Sequence, residues 1–201
     1  FGITEPFGKW KDTGLRLEGE AVQSLAATFL EIWSVSTRKT EDVSRYLNIC
    51  HSVTAPGYVQ PFGDDPLTDE RCAENVMLNM LGRAERYIYF ITPYLIITDE
   101  MNRALGLAAK RGVDVRIITP GIPDKKTVYA VTRSYYAGLA RQGVRIFEYS
   151  PGFCHAKQCV CDDRSALIGT SNLDYRSLYL HFENDVFLYD SPAVGDMAKD
   201  F

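Results

Sequence analysis

The stretch Cys154–Asp163, CHAKQCVCDD, decides the fold of this chain and raises the question of its chemistry. Its polar residues His155 and Lys157 stand two positions apart. Residues two apart on a β-strand face the same side of a sheet, so these two side chains are predicted to project next to each other. An Asp-Asp-Arg-Ser turn and the apolar run SALIGT follow, which predicts an antiparallel hairpin.

Upstream of this hairpin, buried strands alternate with helices. The runs RYIYFITPY, VDVRIITPG and VRIFEYS are near-continuous apolar segments, as expected of strands covered on both faces. One helix is predicted to begin after Thr98, a good N-cap residue, and another to end near Gly143. The alternation predicts parallel strands with right-handed crossovers. With a last strand in NDVFLYD, the prediction is an α/β fold, a mixed and mostly parallel sheet flanked by helices on both faces.

The first third of the chain is less regular. A strand is predicted around Thr13 to Leu17, and a short extended piece in GYVQPFGDDPLTDERC. Two helices are predicted from apolar residues at helical spacing. The first presents Val22, Leu25, Ala26, Phe29, Ile32 and Trp33, and the second presents Ala73, Val76, Met77, Met80 and Leu81.

The composition excludes several functional classes. The chain has 201 residues, 46% of them hydrophobic and 24% charged, typical of a soluble globular protein. Its net charge is −4, which argues against sequence-independent nucleic-acid binding. Five Cys without framework-like spacing indicate reduced thiols in a cytosolic setting. No run approaches the ~20 apolar residues of a membrane span, and the start at Phe1 leads us to expect a piece of a longer protein.

The residue types around the hairpin suit phosphoryl transfer. His155 can act as a nucleophile near neutral pH and form a covalent intermediate. Lys157 supplies positive charge for phosphate oxygens, and Thr170 and Asn172, at the end of the second strand, can donate hydrogen bonds to them. Glu183 is expected to accept the N–H of the other imidazole nitrogen and so orient the ring.

The spacing His155-x-Lys157-x4-Asp162-x6-Gly169-x2-Asn172 resembles the signature of the phospholipase D superfamily. Longer stretches resemble the C-terminal half of bacterial-type cardiolipin synthases over about the last 140 residues. These stretches are TPYLI, GVDVRIITPGIPDKK, RSYYAGLARQGVRIFEYSPGF and GTSNLDYRSLYLHFEND.

Two positions depart from the family pattern. Thr170 stands where the superfamily usually has Ser, which keeps the hydroxyl. The opening FGKWKDTGLRLEGEAV resembles the segment that follows the first of the family's two motifs, but Gly14 stands where His is expected. The resemblance implies a phospholipase D-like fold, with residues 1–57 as the tail of a first half plus a connecting segment. Residues 58–201 are then the second, catalytic half.

The resemblance also implies a mechanism. One of two His, each from a different half, attacks the phosphodiester phosphorus to form a phosphohistidine, and the other protonates the leaving alkoxide. The resemblance leaves open which of the two roles His155 takes. The implied reaction transfers a phosphatidyl group between two phospholipids, typically two phosphatidylglycerols giving cardiolipin and glycerol, with no metal or organic cofactor. The expected partners are a phospholipid, the missing N-terminal half and the cytoplasmic side of the cell membrane, and no nucleic acid. With one motif of two, the fragment alone is expected to be inactive.

Other polar residues are given lesser roles. Asp162 belongs to the catalytic motif, but a carboxylate at a tight turn needs only a structural explanation. Arg176 is expected either to contact a phosphate or to pair with Asp174. The remaining candidates are expected to take no part in the chemistry; they are Ser171, Lys125, Lys126, His51 and His181.

Three alternatives remain open from the sequence. The first is a metal site of Cys154, His155, Cys159 and Cys161, but ligands spread along one strand cannot close a tetrahedron. Cys159 and Cys161 are therefore expected to be small buried residues. The second is a phospholipase D-type phosphodiesterase or nuclease that uses water and completes its site by homodimerisation. The third is a non-catalytic lipid-binding remnant.

Overall fold

A computed structural model of the chain describes residues 7–39, 42–47 and 53–201. Helices and strands alternate along most of this length. In chain order they are α1 (Ala21–Thr37), α2 (Ser44–Leu47), β1 (Tyr58–Asp64), α3 (Cys72–Arg83), β2 (Tyr87–Ile91), β3 (Leu95–Ile96), α4 (Asp99–Lys110), β4 (Asp114–Pro120), α5 (Lys126–Arg141), β5 (Arg145–Tyr149), β6 (Gln158–Cys161), β7 (Ser165–Gly169), β8 (Leu173–Asp174), α6 (Tyr175–Leu180), β9 (Glu183–Tyr189) and α7 (Pro192–Asp200).

Seven strands form the main sheet, in the order β1-β9-β7-β6-β2-β4-β5. The strands β2, β4 and β5 are parallel, as the strand–helix–strand alternation predicted. The other four pairings are antiparallel, so the prediction of a mostly parallel sheet was wrong. The reason is that β6 and β7 form the predicted hairpin, and β9 and β1 then extend the sheet in alternating directions.

Helices cover both faces of this sheet, as predicted. The larger core lies under α3, α4 and α5, where Met77, Leu105 and Leu139 pack over Phe90 and Cys159 of the sheet. The opposite face packs against α7, and the residues buried there are Val160, Ala166, Ile168, Val186, Leu188, Val194 and Met197. Because successive strand residues face opposite sides, β6 contributes to both cores. Among the described residues, no helix has the length and apolar character that crossing a membrane requires.

The N-terminal region departs from its prediction. Leu15 and Leu17 pack against the second core, but the stretch from Thr13 to Leu17 does not form the predicted strand. Helix α1 was predicted, but its aromatic residues are not buried as the apolar face suggested. Phe29 is 58% exposed and Trp33 is 46% exposed, and the two rings stack on each other.

The β6–β7 hairpin is tied to β2 at its turn. Asp162 and Asp163 adopt positive φ angles of 54° and 59°, a conformation that Asp tolerates better than most residues. The Asp162 carboxylate accepts hydrogen bonds from the backbone N–H groups of Glu85, Arg86 and Tyr87, at 2.8, 2.9 and 2.8 Å. Burial raises the pKa of Asp162, but these backbone bonds outweigh burial, and the pKa lies below its ordinary value. These contacts agree with the structural role expected of this residue.

We predict that Asp162→Asn lowers the free energy of unfolding by about 1–2 kcal/mol, because charge-assisted bonds to backbone N–H groups are lost. The folded pKa lies below the unfolded one, so this stabilisation is present above the unfolded pKa. It is lost as pH falls through the folded pKa. Urea unfolding of wild type and variant between pH 7 and pH 3 measures both effects.

The matched control is Asp163→Asn, which removes an exposed pair with Arg86 at 2.7 Å and a bond from Tyr87. It should cost only about 0.5 kcal/mol. Equal losses in the two variants would show that the Asp162 network does not hold the hairpin.

Candidate active site

The N-terminal segment, residues 7–12, runs beside residues 151–155, the stretch that leads to β6. The backbone N–H of Lys11 donates to Phe153 at 3.0 Å, and the N–H of His155 donates to the carbonyl of Lys11 at 2.7 Å. An isolated bridge pairs Lys11 with Cys154 in parallel. These bonds fix the approach of the segment, and they place Asp12 beside the imidazole of His155.

Both nitrogens of the His155 ring have partners. The Nδ1 atom lies 3.2 Å from Asp12 Oδ2, and Nε2 lies 2.9 Å from Lys157 Nζ. A carboxylate only accepts hydrogen bonds and an ammonium only donates them. The contacts therefore select the neutral tautomer that carries its proton on Nδ1. This leaves the lone pair on Nε2, the nitrogen that faces Lys157.

Lys157 is held by local contacts in a partly buried position. Its Nζ also donates to the backbone carbonyl of His155 at 2.6 Å. Burial lowers the pKa of Lys157, while the charges of Asp12 and Glu183 act in the opposite direction. His155 and Lys157 thus lie side by side as predicted, but both precede β6, so the prediction that they lie on a strand was wrong. An anion that approached Nε2 would therefore contact the Lys157 ammonium.

Glu183 does not orient His155 in this structure, and on this point the expectation was wrong. Its carboxylate accepts from Ser177 Oγ at 2.6 Å and from the Thr170 hydroxyl, and it lies 3.5 Å from His181 Nδ1. Asp12 occupies the orienting position instead. The reason is that Glu183 begins β9 next to the end of β7, so the nearest hydroxyls satisfy it first.

The predicted substrate-binding residues lie in the loop after β7. The hydroxyl of Thr170 donates to Glu183 and accepts from the backbone N–H of Asn184 at 2.9 Å, so it would have to release Glu183 to bind a phosphate. The Asn172 Oδ1 atom is buried without a partner among the described residues. The unpaired Oδ1 atom is an acceptor and cannot bind a phosphate oxygen, so phosphate binding by these two residues stays a prediction.

A buried carboxylate, Asp185, was not singled out from the sequence. Its partners are the hydroxyl and backbone N–H of Ser171, and burial raises its pKa to about 6. Ser171 thus has a structural partner, consistent with the minor role expected of it. Asp185 also explains Gly169, because a Cβ at that position would collide with its carboxylate and with the backbone of Asn184. Neither role has a local sequence signal, since both depend on the β7–β9 register.

Other candidate residues fall outside the immediate site. Arg176 Nε donates to His181 Nε2 at 3.0 Å, so it does not pair with Asp174, whose carboxylate caps α6 through the Ser177 N–H at 2.9 Å. Lys125 lies 5.6 Å from the centre of the Tyr94 ring. Lys126 begins α5 with its side chain exposed. His51 lies outside the described residues.

The cysteines that the structure describes do not gather around His155. Cys159 and Cys161 are buried in the larger core, which confirms the expectation of small buried residues, and Cys154 packs in a separate cluster. Within the described ranges no three His, Cys, Asp or Glu side chains are grouped as a metal would require.

Comparisons with known proteins identify relatives of this chain. The family model described as "Cardiolipin synthase, PLD-like domain" matches residues 77–201. Cardiolipin synthase 2 of Bacillus cereus is 39% identical over 202 residues, which cover 100% of this chain and 39% of that protein. An uncharacterised protein of Streptococcus mutans is 47% identical, over 98% of this chain and 43% of its own length. The chain thus spans about two fifths of the curated relatives it matches.

Solved structures show the same fold. The phospholipase D family member Nuc of Salmonella typhimurium aligns with a TM-score of 0.55 and 22% identity, over 71% of this chain and 90% of Nuc. The phosphatidylserine synthase of Haemophilus influenzae aligns with a TM-score of 0.53 and 22% identity, over 70% of this chain and 36% of that one. With a family model covering more than half of its length, the chain belongs to the family of cardiolipin synthase, phospholipase D-like domains.

Proposed function

We propose that this chain is the second half of a cardiolipin synthase-like phosphatidyltransferase. The observation that carries the proposal is the His155 ring, held between Asp12 and Lys157 so that its lone pair lies on Nε2 beside an ammonium. A nucleophilic nitrogen next to a fixed cation suits attack on an anionic phosphodiester. Relatives described as cardiolipin synthases support the choice of a phospholipid as the substrate class.

The proposed reaction has two displacements at phosphorus. His155 Nε2 forms a bond to the phosphorus of one phosphatidylglycerol, and the bond to its glycerol oxygen breaks. The leaving alkoxide takes a proton from a second His, which lies in the other half of the site. The hydroxyl of a second phosphatidylglycerol then gives its own proton to the second His as its oxygen bonds to phosphorus. The N–P bond breaks, and cardiolipin and glycerol result.

The protein groups of this chain would each have one task. Asp12 holds the Nδ1 proton and stabilises the positive charge that develops on the ring during attack. Lys157 leaves Nε2 as the phosphorus approaches, and the N–H groups that do not bond the His155 carbonyl then face the phosphoryl oxygens. Asn172 and Thr170 are proposed as further donors. The partially desolvated ammonium strengthens these contacts, since burial reduces competition from water.

The second His is proposed to come from an N-terminal half of the same protein. In this division residues 1–57 are the end of that half plus a connecting segment, and residues 58–201 are the catalytic half. The contact between Asp12 and His155 fits this division, because a residue from the end of the first half would then help to build the site of the second. The relatives are long enough to hold a further domain of this size. The substrate would reach the site from the cytoplasmic surface of the cell membrane.

We predict that the full-length protein, given labelled phosphatidylglycerol in mixed micelles, forms cardiolipin and glycerol. His155→Ala should lower the rate at least about a thousandfold, because the nucleophile is lost. Thin-layer separation of lipid products and an enzymatic glycerol assay measure both products. Denaturation with SDS at mildly alkaline pH during turnover should trap phosphatidyl label on the wild-type protein and none on the variant, because the N–P bond of a phosphohistidine is labile in acid.

The control is His181→Asn, which removes the other described imidazole near Glu183 and should keep more than a tenth of the activity. Phosphatidic acid in place of cardiolipin would show that water is the acceptor and that the protein is a hydrolase. Equal rates for His155→Ala and wild type would overturn the catalytic assignment.

A second prediction concerns Asp12. Asp12→Asn should reduce kcat by about 10- to 100-fold with little change in KM, because the amide cannot stabilise the developing imidazolium charge. The rate is measured against phosphatidylglycerol concentration in the same micelles. The matched control is Glu18→Gln, a nearby carboxylate whose partner is the exposed Arg16.

The Glu18→Gln variant should match wild type within experimental error. If Asp12→Asn also matches wild type, the carboxylate does not assist the ring, and the role of the N-terminal segment in the site is lost.

A further inference from the structure

The backbone of residues 14–18, just after Asp12, is unpaired within the described part of the chain. None of its N–H or C=O groups forms a hydrogen bond with another described residue. Exposed and half-buried positions alternate along these residues, which is the period of a β-strand at a surface. A stretch with this pattern and free backbone groups can pair with a strand of another sheet.

Helix α1, which follows, is apolar but hardly buried. Among its 17 residues, all of which the structure describes, Glu31 is the one charged residue and Leu30 is the one buried residue. Phe29 and Trp33 are exposed, and their rings stack on each other with centres 6.0 Å apart. A helix with so apolar a surface is normally covered by another element. The described part of the chain leaves this surface uncovered.

The C-terminal end of the chain contains a second unit of the same kind. There β9, a short turn and α7 follow one another, as residues 12–18, a short turn and α1 do near the N-terminus. The turn residues Gly19 and Asp190 both have positive φ angles, of 94° and 48°. At one constant offset, the two units match in a leading carboxylate, two apolar residues, the positive-φ residue and the first helical residue; the pairs are Asp12 and Glu183, Leu15 and Val186, Leu17 and Leu188, Gly19 and Asp190, and Ala21 and Pro192.

In the C-terminal unit both parts have partners. The strand β9 lies between β7 and β1 in the main sheet. Val194 and Met197 of α7 are buried in the core between that helix and the sheet. The N-terminal unit has the same order of elements without a sheet to receive it. Its unpaired backbone and its uncovered helix are therefore the two surfaces that a sheet would fill.

The sheet that fits must lack its last strand. In this chain, and in any second copy of it, the place beside β7 is already taken by β9. An N-terminal half of the same protein that ends with this unit would have that place free. The relatives, of which this chain covers about two fifths, are long enough to hold such a half.

We propose that residues 14–18 add a strand to the sheet of the N-terminal half, and that the exposed face of α1, with Phe29 and Trp33, covers that sheet. This inference rests on the proposed function, which divides the site between two halves. Asp12 stands at the start of the docked segment and contacts His155 at 3.2 Å. Docking would therefore fix the Asp12 carboxylate, and with it the placement of the two halves around the site.

Hydrogen exchange in the full-length protein tests the added strand. The amides of residues 14–18 should exchange at least about a hundredfold more slowly than an unpaired backbone, because each N–H would be bonded within a sheet. The amides of β9 serve as the internal reference for a strand of this kind. Mass spectrometry of peptic peptides gives both rates in one experiment. Exchange of residues 14–18 at the unpaired rate overturns the proposal.

Two substitutions test the covering helix. Phe29→Ser and Trp33→Ser should each lower the Tm of the full-length protein by about 5 °C or more, because an aromatic side chain is removed from a buried interface. The matched control is Leu107→Ser on α4, since Leu107 is 55% exposed and Phe29 is 58% exposed. The control should stay within about 1 °C of wild type. Shifts on α1 no larger than that of the control would contradict burial of this face.

Other occupants of the surface give different results. Protection of residues 14–18 that appears only at high protein concentration indicates a second copy, and protection that appears only with phosphatidylglycerol vesicles indicates a membrane surface. Either result overturns the proposal. If the full-length protein makes no cardiolipin but residues 14–18 are protected and both α1 variants lose stability, the transferase function fails and the docking surface stands.

Discussion

The contact of His155 with Asp12 on one nitrogen and Lys157 on the other is the constraint on which the site depends. Each partner has a fixed role, because a carboxylate cannot donate to the ring and an ammonium cannot accept from it. Together they determine the tautomer, the orientation of the ring and the side from which an anion approaches. A lone imidazole on a strand would have none of these properties.

The fold supplies these partners from distant parts of the chain. Lys157 and His155 come from the approach to β6, which Asp162 ties to β2 through three backbone N–H groups at the other end of the hairpin. Asp12 comes from an N-terminal segment that runs along residues 151–155. The position of the ring is thus set by a rigid hairpin from one side and by a docked segment from the other. A site made in this way joins two segments that are far apart in sequence.

The structural elements that depend on local sequence patterns were predicted correctly. The buried strands, the capped helix after Thr98 and the hairpin were found because their periods and turn residues are local signals. The pairing of β1 with β9 was missed, because it depends on contacts between the middle and the end of the chain. Asp12 was missed for the same reason, since it is 143 residues from His155 and no spacing rule connects them. Glu183 was a reasonable choice by residue type, but nearby hydroxyls occupy its carboxylate.

The most direct test is the protonation of the His155 ring. The protein would be labelled with ¹⁵N-histidine, and the His155 signals assigned by their loss in His155→Asn. At neutral pH the imidazole should carry its proton on Nδ1, with Nε2 unprotonated, and Asp12→Asn should disturb that preference. A ring protonated on Nε2 in the wild-type protein would contradict the account, because the nitrogen proposed to attack phosphorus would have no free lone pair.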